Sequence, residues 1–365
     1  MPAPTDVKYD RFEDQRSQCK MSRQQTESAA EPRTRVPFDD LVELLRAIFL
    51  KNGTSENVAA ILAQNCASAE QDGAESHGVF RIPAYLSTLH SEWVDGKAVP
   101  QIRNTTSAWL SVDAMNGFAQ PALAIAAGAA AEKARECGIA AIAISNSHHF
   151  GALWLDVEPL TRAGFVVLTM VSGYRRVAPH GGRHPIYGTN PMAFGAPRAK
   201  GPPLIFDQAS SATSFGDLLI AKRENRTVPL GSGLDRTGQE TSDPAAILDG
   251  GALLTFGGHK GSSIAMMIEV MAAAVTGSLF SFEVDRSQYP GAETSRSGQF
   301  MLLIDPRFGL GKACAERVDD LVVGLRSSGQ TRLPGDRRYE ARKKAQAQGV
   351  SIRCDALANL RTLLQ

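Results

Sequence analysis

Several features that define large classes of protein are missing from this sequence. None of its apolar runs reaches the roughly 18 residues that a membrane-spanning helix needs, so we expect no membrane partner. Lys and Arg number 39 and Asp and Glu number 38, which leaves a formal net charge of +1, and no basic stripe with interleaved aromatic residues is present. A sequence so balanced in charge gives no indication of nucleic-acid binding.

Cysteine is also scarce. The chain has five cysteines, an odd number, and they form no CxxC motif, so neither a disulfide framework nor a zinc knuckle is predicted. We therefore expect a reducing compartment, the cytoplasm. Residues 1–20 are rich in charged side chains, which argues against a secretory signal, and Met21 is a candidate alternative start of translation.

Metal and nucleotide motifs are missing as well. The spacings of His148-His149 and His180…His184 suit a metal, but no carboxylate or thiol cluster accompanies them, so no metal site is predicted. No GxGxxG motif opens a strand–turn–helix unit, GSGLDRTG at 231–238 has the wrong spacing, and no GxxxxGK[ST] motif occurs. An ordinary Rossmann or P-loop domain is therefore not expected.

What is present is the apolar patterning of a globular chain long enough for two domains. Residues 1–36 are polar without apolar periodicity, which predicts a disordered tail. Helical spacing predicts a helix hairpin that begins at Asp39 or Asp40, turns at Gly53 and ends at Gly73. Apolar runs predict an Ala-rich helix at 121–137, a helix buried on nearly every face at 262–278, and strands at 138–145, 165–172, 203–207 and 300–306.

The run SHGVFRIP follows the predicted hairpin and places Ser76, His77 and Arg81 close together. A guanidinium binds a carboxylate through two parallel hydrogen bonds, and an imidazole gives or takes a proton near neutral pH. The run therefore predicts a site that binds a carboxylate and moves a proton beside it. The alternative is a capped helix start with a surface arginine.

A candidate anion site precedes the apolar helix. The run FGGHKG places three glycines, His259 and Lys260 at the amino end of that helix, where free N–H groups and the helix dipole favour an anion. The alternative is a tight turn with a solvated lysine. Near the carboxyl end of the chain, Arg332, Arg337 and Arg338 surround a Pro-Gly turn and suit a phosphate, or form a solvated surface.

Several longer runs together resemble the type-2 malate/lactate dehydrogenase superfamily. They are SHGVFRIPAYL, NGFAQPA, NSHHFGALW, GTNPMAFGAPR, FDQASSATSFGD, ILDGGALLTFGGHKGSSIAMMIE and RLPGDRR. Within that family the chain most resembles the Δ1-piperideine-2-carboxylate/Δ1-pyrroline-2-carboxylate reductases, which reduce cyclic imino acids with NADPH. The resemblance implies a homodimer and a non-Rossmann α/β fold with a mostly antiparallel sheet in an NADPH-binding domain at 141–305. It also implies a helical companion domain for substrate binding and dimerisation at 37–140 and 306–365.

The resemblance also implies roles for individual residues. Ser76 and His77 stand at the positions of the family's proton relay, with His77 as the donor. Arg81 stands at the position that binds the substrate carboxylate, and Thr189 stands beside the substrate. The positions that match cofactor-contacting segments are His149, Phe150, Gly151, Ala152, Leu153, Asp207, Gln208, Ala209, Gly258, His259, Arg332, Leu333, Pro334, Gly335, Asp336, Arg337 and Arg338.

Asp217 favours the imino-acid branch of the family. Malate and lactate members typically have Gly-Lys where this chain has Gly216-Asp217. A carboxylate favours the protonated imine that accepts hydride, whereas a lysine suits the oxygen of a ketone. Two unit charges about 4 Å apart interact by roughly 4 kcal/mol at an effective dielectric near 20. Asp217 is thus predicted as the third catalytic residue, and the alternative is an Asp at a helix start without a catalytic part. Arg175-Arg176 departs from the expected pattern, with either the cofactor 2′-phosphate or substrate access as its role.

We therefore expect an NADPH-dependent enzyme that reduces Δ1-piperideine-2-carboxylate to L-pipecolate and Δ1-pyrroline-2-carboxylate to L-proline. The alternative on the same scaffold is an NAD(P)-dependent 2-hydroxyacid dehydrogenase acting on malate, lactate or a ureidoglycolate-like substrate. A third, non-enzymatic interpretation is a protein that binds NADPH or a partner without turnover.

Overall fold

The structure is a computed structural model that describes residues 32–309 and 312–364. Most of the tail predicted at 1–36 lies outside the described residues. Its last part is not a tail, because Arg33–Val36 forms a strand that pairs antiparallel with Val350–Arg353. The prediction was therefore wrong at that boundary, and the reason is that the partner strand lies more than 300 residues away in sequence.

Helices and short strands alternate along the described chain. The helices α1 to α11 are Phe38–Lys51, Glu56–Gln71, Ile82–His90, Ala119–Cys137, Leu153–Arg162, Phe215–Arg223, Pro244–Leu248, His259–Glu269, Cys314–Ser327, Asp336–Gln348 and Cys354–Thr362. The strands β1 to β12 are Arg33–Val36, Gln101–Thr105, Trp109–Phe118, Ile139–His148, Val166–Val171, Met192–Ala196, Leu204–Gln208, Gly233–Leu234, Glu240–Thr241, Ala252–Leu253, Arg296–Ile304 and Val350–Arg353.

A seven-stranded sheet in the order β2-β3-β4-β11-β5-β6-β7 organises the molecule. Only β3 and β4 pair in parallel within it, and α4 makes the crossover that a parallel pair requires. All other neighbours in the sheet are antiparallel. The predicted α/β fold with a mostly antiparallel sheet is confirmed, and the four predicted strands correspond to β4, β5, β7 and β11.

The two largest hydrophobic cores of the described chain lie on different elements. The larger core packs the sheet against α4 and α5 and includes Ile142, Val157 and Met301. The second core is built from α1, α2, α3 and α11 around the β1–β12 pair. β2, β3 and α4 precede residue 140 and belong to the sheet and its core, and the predicted division into domains at that residue stays a prediction. That pairing is non-local and has no signature in the sequence.

The helix predicted to be buried on nearly every face is only half buried. It spans α8 and continues into a π-helix at Val270–Ala274. Ala265, Ile268 and Ala272 are fully buried, whereas Met266 is 54% and Val270 is 47% exposed. Composition alone could not reveal which face lacks a neighbour. In the part of the chain that the structure describes, α-helices are too short or too polar to traverse a bilayer.

Candidate functional site

Two short 3₁₀ turns between α2 and α3 form the centre of the site. They span Glu75–His77 and Val79–Arg81 and are joined by Gly78. The buried carboxylate of Glu70 accepts a hydrogen bond from Val79 N at 2.9 Å, and a Cβ on residue 78 would overlap that carboxylate. Burial raises the pKa of Glu70 to about 7. The glycine of SHG is thus needed for the close approach that fixes both turns.

Ser76 and His77 are hydrogen-bonded to each other. Ser76 Oγ lies 3.0 Å from His77 Nδ1, and the imidazole ring lies edge-on to Trp154, with centroids 6.1 Å apart. Burial, together with the charge of Arg81, lowers the pKa of His77 to about 3. The imidazole is therefore neutral near neutral pH, and a neutral ring that accepts Ser76 O–H at Nδ1 has its own proton on Nε2.

Arg81 is held as a preorganised cation. Its Nε donates to Ser76 O at 2.7 Å, and its Cζ lies 4.7 Å from the centroid of the Phe150 ring. Burial lowers the pKa of this guanidinium. No carboxylate of residues 32–309 or 312–364 forms an ion pair with it. Such a cation favours an anionic ligand. The structure does not show the alternative, a surface arginine at a helix start.

A cavity of about 150 Å³ brings the predicted residues together. Its wall includes these residues that the sequence predicted: His77, Arg81, His149, Phe150, Gly151 and Thr189. They come from the 3₁₀ turns, from the turn between β4 and α5, and from the loop before β6. A guanidinium, a neutral imidazole and a threonine thus face one small volume.

The loop that presents Thr189 is fixed from behind by a buried carboxylate. Asn190 is fully buried with a positive φ of 39°, and its Nδ2 donates to Glu269 Oε1 at 2.8 Å. Glu269 also accepts from Ser281 N at 3.0 Å. It lies where α8 passes into the π-helix, a distortion that is common at functional sites. Strained backbone held this way is typical of a preorganised site.

His149 is oriented by a second buried carboxylate. Its Nε2 lies 2.7 Å from Asp156 Oδ2, and each side chain is only 3% exposed. Asp156 also accepts a hydrogen bond from Gln299 Nε2 at 2.8 Å. The His149 ring is therefore immobilised in the cavity wall from the sheet side.

Two of the predicted cofactor segments contact Trp154, which lies next to His77. Asp207 Oδ2 accepts from Trp154 N at 3.1 Å, and burial raises the pKa of Asp207 to about 6. Arg338 places its Cζ 4.9 Å from the Trp154 ring centroid and donates to Ile205 O at 2.9 Å. The turn from Arg332 to Arg338 thus packs beside β7, and Ala152 and Leu153 are buried under it at the start of α5.

The Gly258-His259 segment lies beside the same strand end. Gly258 has a φ of +61° and precedes α8 without a side-chain cap, and Phe256 N donates to Ser210 O at 3.1 Å just beyond β7. Ser210 N in turn donates to Thr189 O at 2.8 Å. Gln208 and Arg332 are exposed at this end of the molecule. Apart from Thr189, none of these groups is part of the cavity wall itself.

Asp217 lies next to the site rather than in it. Its N–H donates to Ser214 Oγ at 3.0 Å at the start of α6, and the residue is exposed. The neighbouring Gly216 is close to the first 3₁₀ turn, since a Cβ there would lie 3.1 Å from Ser76 Cβ. The carboxylate of Asp217 is not among the groups that line the cavity, so the catalytic role of Asp217 stays a prediction.

Sequence reasoning missed several residues of the cavity wall. Among them are Tyr174, Arg176, Phe215 and Glu293. Arg176 was visible as a departure from the family pattern but had no assigned place. Glu293 lies in a loop without a motif, so nothing in the sequence could have singled it out. Trp154 directly follows the FGAL run and could have been included with it.

Comparisons with known proteins identify the family of this chain. A family model described as malate/L-lactate dehydrogenase matches residues 36–361. The Delta(1)-pyrroline-2-carboxylate/Delta(1)-piperideine-2-carboxylate reductase of Pseudomonas syringae pv. tomato is 54% identical over 335 residues, covering 92% of this chain and 98% of that protein. The reductase of the same name from Pseudomonas putida is 52% identical over 330 residues, covering 90% and 97%.

A solved structure shows the same fold. The delta1-piperideine-2-carboxylate reductase from Pseudomonas syringae pvar. tomato matches with a TM-score of 0.89 and 54% identity, covering 90% of this chain and 99% of that one. The predicted resemblance to the cyclic imino acid reductases and the predicted non-Rossmann fold are therefore confirmed. Since the family model spans most of the sequence and these relatives match it nearly end to end, the chain belongs to the malate/L-lactate dehydrogenase family.

Proposed function

We propose that this protein is an NADPH-dependent reductase of cyclic imino acids, converting Δ1-piperideine-2-carboxylate to L-pipecolate and Δ1-pyrroline-2-carboxylate to L-proline. The observation that carries the proposal is the placement of Arg81, a half-buried cation without a carboxylate partner among the described residues, in one cavity with His77. The names of the relatives supply the substrate class.

Arg81 and Thr189 bind and orient the substrate. The Nε edge of Arg81 is occupied by Ser76 O, so its two Nη groups are left to bind the carboxylate in parallel. Thr189 offers a hydroxyl from the opposite loop. By fixing the orientation of the substrate, these contacts lower the activation free energy of the reaction by several kcal/mol.

His77 holds and moves the proton. In the free protein burial and the charge of Arg81 keep the pKa of His77 at about 3. A bound carboxylate offsets the charge of Arg81, so substrate binding raises the pKa of His77 and makes proton uptake at Nδ1 easier, which leaves the proton on Nε2 for donation. Ser76 Oγ stabilises the ring in either state, because it can donate to Nδ1 or accept from it. Proton uptake is thereby coupled to substrate binding.

The residues present fit a phosphate-bearing nicotinamide cofactor. The start of α8 has N–H groups without a side-chain cap, and the basic residues Lys260, Arg332 and Arg337 form no ion pairs within the described ranges. Such donors suit phosphates, including the 2′-phosphate of NADPH. Trp154, Asp207 and His149 would hold the end of the cofactor that lies nearer to the cavity. When bound, the cofactor supplies the hydride.

Asp217 is proposed to favour the protonated imine from its place beside Gly216. The close approach of Gly216 to Ser76 and Arg81 supports this role.

The partner copy of a homodimer is a further part of the proposal. A groove of about 1760 Å³ beside α2, α4 and α5 supports it, and the molar mass measured by light scattering tests it.

A second candidate function is a 2-hydroxyacid dehydrogenase, which the description of the family model favours. A substrate panel with NADPH and NADH separates the two. We expect kcat/KM for Δ1-piperideine-2-carboxylate to exceed that for pyruvate and oxaloacetate. Faster turnover of the keto acids contradicts the proposal, and nucleotide binding without any turnover would point to the non-enzymatic interpretation.

A further inference from the structure

We propose that Trp154 is a positioning residue for the proton transfer, and that Asp72 and Arg342 act through it. The indole ring fixes the His77 imidazole, and the buried ion pair of Asp72 with Arg342 fixes the indole ring. This inference rests on the proposed function, in which His77 is the proton donor. The three residues lie outside the cavity wall that the structure describes.

The His77 imidazole needs a second contact to be oriented. Within the described ranges its hydrogen-bond partner is Ser76 Oγ, 3.0 Å from Nδ1. The hydroxyl of this neighbouring residue can rotate, so the bond alone leaves the direction of His77 Nε2 open. Trp154 supplies the second contact, with its ring edge-on to the imidazole at an interplanar angle of 73°. The indole therefore restrains the proton donor without lining the substrate volume.

The indole is itself fixed at two points. Trp154 is only 6% exposed, and its backbone N–H donates to the Asp207 carboxylate. At the other end of the residue, Nε1 donates to Asp72 Oδ2 at 3.0 Å. Hydrogen bonds to a carboxylate are stronger than those between neutral groups. Together the two bonds determine where α5 begins and how the indole ring is turned.

Asp72 is held by a bidentate arginine. Its side chain has an exposure of 0%, and Arg342 donates to Asp72 Oδ1 from Nε at 2.7 Å and to Oδ2 from Nη2 at 2.6 Å. Arg342 also donates to both carboxylate oxygens of Glu158, at 2.7 and 2.8 Å. Paired bonds of this kind fix the geometry of a carboxylate. Because Arg342 already satisfies both oxygens of Asp72, the additional bond from Trp154 serves to orient the indole.

These contacts form a closed loop that includes the proton donor. Asp72 is the C-cap of α2 and lies five residues before His77. The backbone after Asp72 and the contact through Trp154 therefore reach the same imidazole from two directions. The helix α10 carries Arg342 and also Arg338, whose Cζ lies 4.9 Å from the indole centroid. The arginine-rich turn at the start of α10, proposed to bind the cofactor, is thus joined to the proton donor through Trp154.

A double-mutant cycle between Trp154 and His77 tests the inference. The value of kcat is measured at saturating NADPH and imino acid for the wild type, Trp154→Leu, His77→Ala and the double variant. We expect Trp154→Leu to lower kcat about tenfold when His77 is present and by less than about twofold when it is replaced, because residues that act as a unit are not additive. We expect KM for the imino acid to stay near the wild-type value, since Arg81 is unchanged.

Two further variants separate ring contact from general packing. Trp154→Phe keeps an aromatic ring beside His77 but loses the bond to Asp72, so its kcat is expected to lie between those of the wild type and Trp154→Leu. The matched control is Trp109→Phe. It removes another indole N–H, which donates to Ser111 Oγ at 2.8 Å, on a strand position outside the described cavity wall. Its kcat is expected to remain at the wild-type value.

Two results overturn the inference. They are an equal fold-loss of kcat with and without His77, and a change confined to KM for NADPH. If Trp154→Leu does not fold, the cycle is run with Trp154→Phe, and equal losses overturn the inference in the same way. Wild-type turnover of Δ1-piperideine-2-carboxylate is measured first. Its absence contradicts the proposed function, whereas equal losses in an active enzyme contradict this inference alone.

Discussion

The replacement Arg81→Lys tests the substrate-binding geometry most sharply. It keeps the positive charge but removes the planar pair of donors, the Nε bond to Ser76 O and the stacking on Phe150. Loss of one hydrogen bond to a charged group costs about 1.5–3 kcal/mol, so KM for the imino acid is expected to rise about 10- to 150-fold. We also expect kcat to fall, because the Ser76 carbonyl helps to hold the turn that contains His77.

The assay is the initial rate of NADPH oxidation over a range of imino acid concentrations, with NADPH affinity measured separately by fluorescence. The matched control is Arg175→Lys, the same change at an exposed arginine outside the cavity wall. A KM near the wild-type value in Arg81→Lys would refute the assignment of the carboxylate to this guanidinium. So would an equal rise in the control.

The remaining predictions concern His77, Asp217 and His148. His77→Ala removes the proton donor, so kcat falls by about two to four orders of magnitude while NADPH affinity stays near wild type; a wild-type kcat contradicts the role. Asp217→Lys lowers kcat/KM for the imine about tenfold more than for keto acids, because attraction for the protonated imine becomes repulsion; equal losses contradict the charge argument. Burial, with the charge of Arg296, lowers the pKa of the fully buried His148 to about 3. Below its unfolded value of about 6.5 the unfolded chain binds a proton that the native chain does not, so stability is lost as pH falls toward 3. Urea unfolding is therefore expected to show about 2 kcal/mol more loss between pH 7 and pH 5 in the wild type than in His148→Gln, and identical pH profiles contradict this.

The centre of the site was predictable because it is local. Ser76, His77 and Arg81 lie in two consecutive 3₁₀ turns, so a short run of sequence already determines that they are close. The strands and the helix hairpin were predictable for the same reason, since apolar runs and turn residues act over a few positions. Ser55, for example, caps α2 as its position at the hairpin turn suggests.

The order of strands and the wall of the cavity were not predictable in this way. β11 enters the sheet between β4 and β5, although nearly 130 residues separate it from β5 along the chain. Glu293 and Phe215 reach the cavity only through such long-range pairing. Asp217 is the opposite case. Its motif predicted a place in the site, whereas the residue is exposed at the start of α6.

The most direct measurement is a crystal structure of the enzyme with NADP⁺ and pyrrole-2-carboxylate, a planar analogue of the imine substrate. We predict that the analogue's carboxylate lies within hydrogen-bond distance of the Arg81 Nη atoms and that its ring lies between His77 Nε2 and the nicotinamide. A carboxylate bound elsewhere, with Arg81 unliganded, would contradict the assignment of substrate and proton donor to this cavity.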